Sequence, residues 1–216
     1  MFWKVFGDLC LGFLTTLEIF ALTLVIAIPL GLLVAFGTMS KFKPLKWLLV
    51  GFVWIIRGTP LMLQLFIVCY GPGLIGLPPV KDPMVATIIA FGINYACYFS
   101  VIYKGGIESI TQGQREAGLV LGMTKTQIFF KIILFQVIRR ILAPMSNETI
   151  TLVKDTSLAN TIMVPELIKQ ANVIAKSFAM NYLTMLLYTA VFYLIFNGLL
   201  TILFNKIEKK MSFYKV

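Results

Sequence analysis

The sequence contains no histidine, which excludes imidazole-based acid–base catalysis and the usual histidine metal sites. Cysteine is scarce: Cys10, Cys69 and Cys97 each stand alone inside an apolar run. An odd, unclustered set suits small buried hydrophobes better than disulfides or metal ligands. Asp and Glu total only 9, and charged residues make up 13% of the 216. That is too little charge to cover a soluble globule. What fills the chain instead is hydrophobic, at 59% of residues and a mean hydropathy of +0.90. Length and composition fit a polytopic membrane protein of one domain, and exclude disordered, fibrous and disulfide-stapled chains.

The net charge is +10. In a soluble protein this would suggest nucleic acid, but basic residues also gather in the cytoplasmic loops of membrane proteins. No nucleic-acid partner is expected. The first apolar stretch is too long for a secretory h-region, and no small-residue cleavage site follows it, so it is expected to remain as a span.

Crossing the hydrocarbon layer takes about 20 mainly apolar residues. Residues 11–36, 45–70, 84–103 and 180–204 meet that standard. Lys41, Lys43 and Lys46, the segment 104–140, and the tail with Lys206, Lys209, Lys210 and Lys215 together hold 13 of the 19 basic residues. The positive-inside rule puts all three regions in the cytoplasm and the N-terminus outside. The chain must then cross once more between about residues 135 and 180, which predicts a polar helix over 136–152. The expected architecture is an all-α bundle of about five transmembrane helices, N-terminus out and C-terminus in.

That polar helix is costly in lipid, so its charges should face the bundle or a water-filled path. Glu148, with Asn147 beside it and Lys154 and Asp155 at its outer end, is expected to line something polar. Lys154 and Asp155 are placed to neutralise each other in part. The bland alternative is a polar lock between helices. Met and Phe are abundant, at 10 and 18. Packing and lipid contact account for them without a cofactor in this chain. The C-terminal lysines suit anionic headgroups of membrane lipid.

The cytoplasmic stretch repeats a T-x-x-Q capping-box spacing at Thr111/Gln114 and Thr124/Gln127. A short helix over 112–121 is predicted, with Gly122 as a left-handed C-cap, a turn at 122–123 and a second helix entering the membrane from Thr124. A DNA-reading helix-turn-helix is disfavoured, because both ends are tethered to spans. A solvated connector remains the plain alternative.

These residues resemble the membrane-spanning permease subunits of ABC importers, in particular the polar amino-acid uptake type (histidine, glutamine and arginine permeases). That family carries Glu-Ala-Ala, three residues, Gly, nine residues, then Ile-x-Leu-Pro. Here Glu116-Ala117-Gly118 is followed at that interval by Gly122, and Ile132-Ile133-Leu134-Phe135 falls at the second interval. Gly118 replaces the second alanine and Phe135 the proline. Arg57-Gly58-Thr59-Pro60-Leu61 with Gln64-Leu65-Phe66 is similar to the family's RGTP-type motif, and Gly113-Gln114-Arg115 to its approach to the signature. Asn147-Glu148, Lys154-Asp155-Thr156-Ser157-Leu158 and Val164-Pro165-Glu166-Leu167 are similar to its region between the fourth and fifth spans. Lys104 stands where Arg is common, and Val101 where Glu is common. The likeness runs over nearly the whole chain.

The resemblance implies one permease domain, residues 1–216, in the cell membrane, working beside a second permease (identical or sister) on two cytosolic ATPase subunits. An extracellular solute-binding protein would deliver a polar or charged L-amino acid; cystine, an opine or another small solute is the alternative. It implies that Gln114, Arg115, Glu116, Ala117, Gly118 and Gly122 dock in the ATPase, with a coupling region over about 108–134. No phosphate-binding G-x-x-x-x-G-K-[ST] loop occurs in the chain, so ATP and Mg would belong to the ATPase partner. Gly58-Thr59-Pro60 is expected to break the second span, with Thr59 capping the resumed helix. Arg57 is expected as an interfacial anchor or as the partner of Glu148 or Asp155, in a gating role. Candidate pathway groups are Arg57, Thr59, Gln64, Asn94, Asn147, Glu148, Asp155 and Ser157. An intramembrane enzyme finds no metal cluster or Ser/Lys dyad to support it, and no catalytic or metal residues are assigned. A passive channel or scaffold would need no docking hairpin.

Overall fold

The computed structural model describes residues 2–212, and among them every regular element is helical. Lys215 of the basic tail lies outside the described residues. Helix α1 (Phe2–Thr38) is followed by α2 (Lys43–Gly58), α3 (Leu61–Leu74), α4 (Pro83–Glu108) and α5 (Gln112–Val120). Then come α6 (Lys125–Ile128), a π-helical turn (Phe129–Ile133), α7 (Leu134–Asp155), a 3-10 segment (Thr156–Ile162), α8 (Leu167–Ser177) and α9 (Tyr182–Ser212). Segments Trp3–Thr38, Pro83–Glu108 and Tyr182–Met211 are long and apolar enough to cross a membrane. Helices α2 and α3 qualify as one span broken by a 107° bend. Helix α7, 22 residues and about 33 Å long, matches the polar helix expected over 136–152.

Helix α1 lies along α4 because its contacting stripe is small. Ala27, Gly31 and Ala35 recur every fourth residue and are buried. A Cβ at Gly31 would stand 2.9 Å from the Ala96 carbonyl oxygen and 2.9 Å from Phe99 Cβ. Backbone therefore meets backbone here, the small-xxx-small mode by which helices associate where lipid offers no hydrophobic drive. The Tyr103 hydroxyl, donating to the Ile28 carbonyl at 3.3 Å, adds a polar tie between the same helices. Phe91, Tyr95 and Phe99 on α4 are fully packed with Ile19, Leu65 and Leu152 from α1, α3 and α7, so α4 is the axis of the bundle.

Helix starts follow the expected chemistry in part. Asp82 accepts from Met84 N at 2.8 Å, with Pro83 at the first helical position. At Thr124 the capping box forms: Gln127 N donates to the threonine hydroxyl and Thr124 N to the Gln127 side chain. Gly122 takes φ +73°, the left-handed turn expected after α5, and Met123 N bonds back to Gly118 O at 3.0 Å. Thr111 occupies the N-cap of α5, but its side chain makes no cap bond. The Thr111/Gln114 capping box is therefore a correction to the sequence reading: Gln114 N bonds to the Thr111 carbonyl at 3.2 Å, and the Gln114 side chain accepts from Gln136 of α7. With phenylalanine rather than proline at position 135, the backbone N–H is retained, and helix runs unbroken from α6 through the π turn into α7.

Helix α8 caps the end of the bundle opposite α5. Leu167, Ala171, Ile174 and Ala175 are buried against Val5 and Leu9 of α1 and Met185 of α9. Its N-cap is Glu166, fully buried, accepting from Lys169 N at 2.7 Å and Ile168 N at 2.9 Å. Thr16 of α1 accepts from Leu167 N at 3.3 Å.

Candidate functional site

The break between α2 and α3 organises the site. Thr59 and Pro60 have extended backbones (ψ 146° and 135°), so the intrahelical ladder stops there. Carbonyls at the end of α2 are orphaned, and in hydrocarbon they need a donor. Gln64, one turn into α3, supplies it: Nε2 lies 2.7 Å from Ile56 O, 3.2 Å from Thr59 O and 2.9 Å from Thr59 Oγ1. Asn94 of α4 then donates to Gln64 Oε1 at 3.0 Å. Gln64 and Asn94 thus lock the bend to the bundle axis. Thr59 does not cap the resumed helix, contrary to expectation. Its hydroxyl turns back to Ile55 O at 3.0 Å, and Pro60, which has no side-chain donor or acceptor, takes the N-cap. The first N–H groups of α3 are left without a side-chain cap.

Beside this bend lies a cavity of about 380 Å³, lined by Thr59, Pro60 and Leu61 from the break, Asn94, Tyr95 and Tyr98 from α4, Glu148, Thr151 and Asp155 from α7, and Leu158. The Tyr95 hydroxyl donates to Asp155 Oδ2 at 2.7 Å. The Arg57 guanidinium sits 5.0 Å from the centroid of the Tyr98 ring. Among the described residues no ion pair joins Arg57 to Glu148 or Asp155, or Lys154 to Asp155. Stacking on an aromatic face is what supports the arginine.

Of the residues the sequence singled out, Thr59, Asn94, Glu148 and Asp155 meet around this cavity, with Gln64 bracing it and Arg57 stacked on its wall. Two do not belong to it. Asn147 is exposed, about 100° around α7 from Glu148. Ser157 lines a separate shallow cleft with Lys154, Tyr193 and Asn197, its hydroxyl donating to Lys154 O at 2.7 Å. Tyr95, Tyr98 and Thr151 were missed. Thr151 lies between Glu148 and Asp155 at the i, i+3, i+7 spacing of one helix face, a signal the sequence carried.

At the far end, α5 presents Arg115, Glu116 and Ala117 to solvent, with Gln112 Nε2 donating to Glu116 Oε1 at 2.9 Å. Leu119, Val120 and Leu121 follow, 54%, 88% and 76% exposed. Apolar side chains this open at the tip of a polar hairpin mark a contact surface. The hairpin is rigidly tied to the bundle. Gly118 is buried with room for no side chain, since a Cβ would come within 2.6 Å of Ile128. Gln136 Nε2 donates to Gln114 Oε1 at 3.2 Å, and Arg140 donates to Ser109 O.

A broken apolar bundle with a polar cavity at the bend and a stiff, exposed lever at one end defines a membrane-embedded translocation subunit. Residues 27–213 match the family of binding-protein-dependent transport system inner membrane components, and the chain belongs to that family. It is 36% identical over 213 residues (99% of this chain, 89% of the relative) to the L-cystine transport system permease protein TcyB of Bacillus subtilis. With the arginine transport system permease protein ArtQ of the same organism it shares 31% over 202 residues, 93% of this chain and 91% of the relative. Among solved structures, an amino acid ABC transporter crystallised with histidines superposes at TM-score 0.88, with 28% identity over 97% of this chain and 96% of that one. The inward-facing methionine transporter MetNI shares the fold at TM-score 0.70 and 18% identity, over 98% of this chain and 97% of that one. The chain is an ABC permease, a translocation subunit of the cell membrane whose ATP hydrolysis is carried out by separate ATPase subunits.

Proposed function

We propose that this permease imports a polar or charged amino acid, and that the cavity at the α2–α3 break lies on the substrate's path. The observation that carries this reading is the juxtaposition, around one space of about 380 Å³, of the uncapped N-terminus of α3 with the carboxylates of Glu148 and Asp155. An amino acid is a zwitterion. Its carboxylate suits free N–H groups and the positive end of a helix dipole, with Arg57 behind Tyr98 adding charge. Its ammonium suits Glu148 and Asp155. The volume is at the small end of the range for ligand pockets, about 300–1,000 Å³. Cystine, the substrate in the name of the 36%-identical relative, carries the same two zwitterionic ends and is a second reading.

In this reading the chain crosses the membrane about five times, with α7 as a full span, the α8 end outside and α5 in the cytoplasm. It works beside a second permease, identical or sister, on two ATPase subunits, and receives substrate from an external binding protein. Residues 114–118 and Gly122 form the docking lever, with Leu119, Val120 and Leu121 as its apolar tip. ATP binding closes the ATPase pair and biases one of two access states. Reconstituted complex carrying Glu148→Gln tests the cavity. Losing a charge-assisted bond of about 1.5–3 kcal/mol lowers uptake about 10- to 100-fold. Unchanged affinity and turnover remove Glu148, and with it the cavity, from the path.

A further inference from the structure

At the α8 end, the first turns of α1 and α9 leave a groove of about 620 Å³ between them, walled by Val5, Phe6, Leu9, Tyr188, Val191 and Phe192. It continues along α9 into a second apolar cleft of about 330 Å³ that shares Phe6, Val191 and Phe192 and reaches Leu199. From Tyr188 to Leu199 the helix rises about 16 Å, half of a hydrocarbon layer of about 30 Å. The groove therefore has the length of one leaflet's acyl chain. Its walls open outward, with Val191 and Leu199 52% and 60% exposed, so it faces away from the bundle.

The opposite mouth is polar. Met180 belongs both to the groove and to a cleft of about 460 Å³ formed by Lys169, Asn172, Lys176 and Tyr182. Lys169, Asn172 and Lys176 stand at i, i+3 and i+7 on α8, one face of the helix. Lys4 lies at the same end, its ammonium 5.6 Å from the Phe178 ring centroid, and the half-buried Asp8 one turn along α1 offsets part of this charge. An apolar slot one leaflet deep thus ends in two cations.

We propose that this groove binds an anionic phospholipid of the phosphatidylglycerol kind, acyl chain between α1 and α9 and phosphate at Lys169 and Lys176. An ethanolamine headgroup would set its ammonium against the two lysines. A second copy of the chain seated symmetrically on this face would bring the same lysines onto themselves. The lipid phosphate offsets one of their two charges.

The test is native mass spectrometry of the assembled transporter, purified and equilibrated with equal phosphatidylglycerol and phosphatidylethanolamine. The site predicts one retained phosphatidylglycerol per permease chain. K169Q/K176Q lowers retention about 30-fold. Val191→Trp, which fills the slot and leaves the lysines intact, also releases the lipid. Equal retention of the two lipids, no retained lipid, or retention unchanged in both variants overturns the proposal. So does a disulfide forming between the Val191→Cys positions of two permease chains, since a protein would then occupy the face.

Discussion

Replacing Gln64 by leucine removes the donor that satisfies the end of α2 and the acceptor that holds Asn94. The carboxamide lies 2.7 Å from Ile56 O and 3.0 Å from Asn94 Nδ2, and the glutamine is only 8% exposed, so water cannot take over either bond. A buried polar group stripped of its partner costs about 1–3 kcal/mol. Measured side-chain bonds inside membrane bundles run lower, averaging about 0.6 and reaching about 1.7 kcal/mol. For two orphaned groups we expect a loss of about 2–3 kcal/mol, or about 5–10 °C in Tm for a chain of this size. Thermal unfolding of the purified complex in detergent reads this directly. The companion variant Asn94→Leu isolates the pair. Once Asn94 is gone, Gln64→Leu leaves only the carbonyls at the break without their donor, so the double variant should fall short of the summed single losses by about 0.6–1.7 kcal/mol. Strict additivity, or a Gln64→Leu variant with unchanged Tm, refutes the claim that Gln64 and Asn94 brace the bend.

Gly31→Val should separate α1 from α4, because its new atoms meet the Ala96 carbonyl, which cannot move aside. A loss of about 1–3 kcal/mol in thermal stability is expected, whereas Gly51→Ala, with nothing within 4 Å of its Cβ, should be neutral or slightly stabilising. Burial raises the Glu166 carboxyl from 4.5 to about 7 despite its bonds to Ile168 N, Lys169 N and the Tyr193 hydroxyl. The folded state therefore holds that proton more tightly than the unfolded chain, and stability present below the unfolded pKa is lost as pH rises toward and through about 7. A Tm series from pH 4.5 to 8 should show that fall, and Glu166→Gln should flatten it while costing about 1 kcal/mol of cap strength.

Much of this arrangement is legible in the residues themselves. The Gly58-Thr59-Pro60 break, the Thr124/Gln127 box and the Gly122 turn rest on local chemistry, and local chemistry is written in neighbouring side chains. Partners across the bundle are not. At Thr111 the Gln114 N–H bonds to the threonine's main-chain carbonyl, not its hydroxyl, and the Gln114 side chain is engaged by Gln136, 22 residues beyond. Arg57 was expected either as an interfacial anchor or beside a carboxylate, and its contact with Tyr98, a ring that hydropathy treats as lipid contact, was not foreseen. Asn147 was grouped with Glu148 by adjacency, whereas helical periodicity separates them and selects Thr151. Helix α8 was hidden between two spans, since its amphipathic turns follow Pro165 too closely to register as a separate stretch.

In the proposed mechanism a partner ATPase drives this bundle through α5. The most direct measurement is cross-linking of Val120→Cys in membranes holding the assembled complex, on a chain whose Cys10, Cys69 and Cys97 have been replaced. Val120, at 88% exposure, should form an adduct with the ATPase subunit, and that adduct should disappear in a Glu116→Lys variant that still folds but no longer couples ATP hydrolysis to uptake. Labelling of Val120→Cys from the outer face of the membrane, or normal uptake by Glu116→Lys, would contradict it.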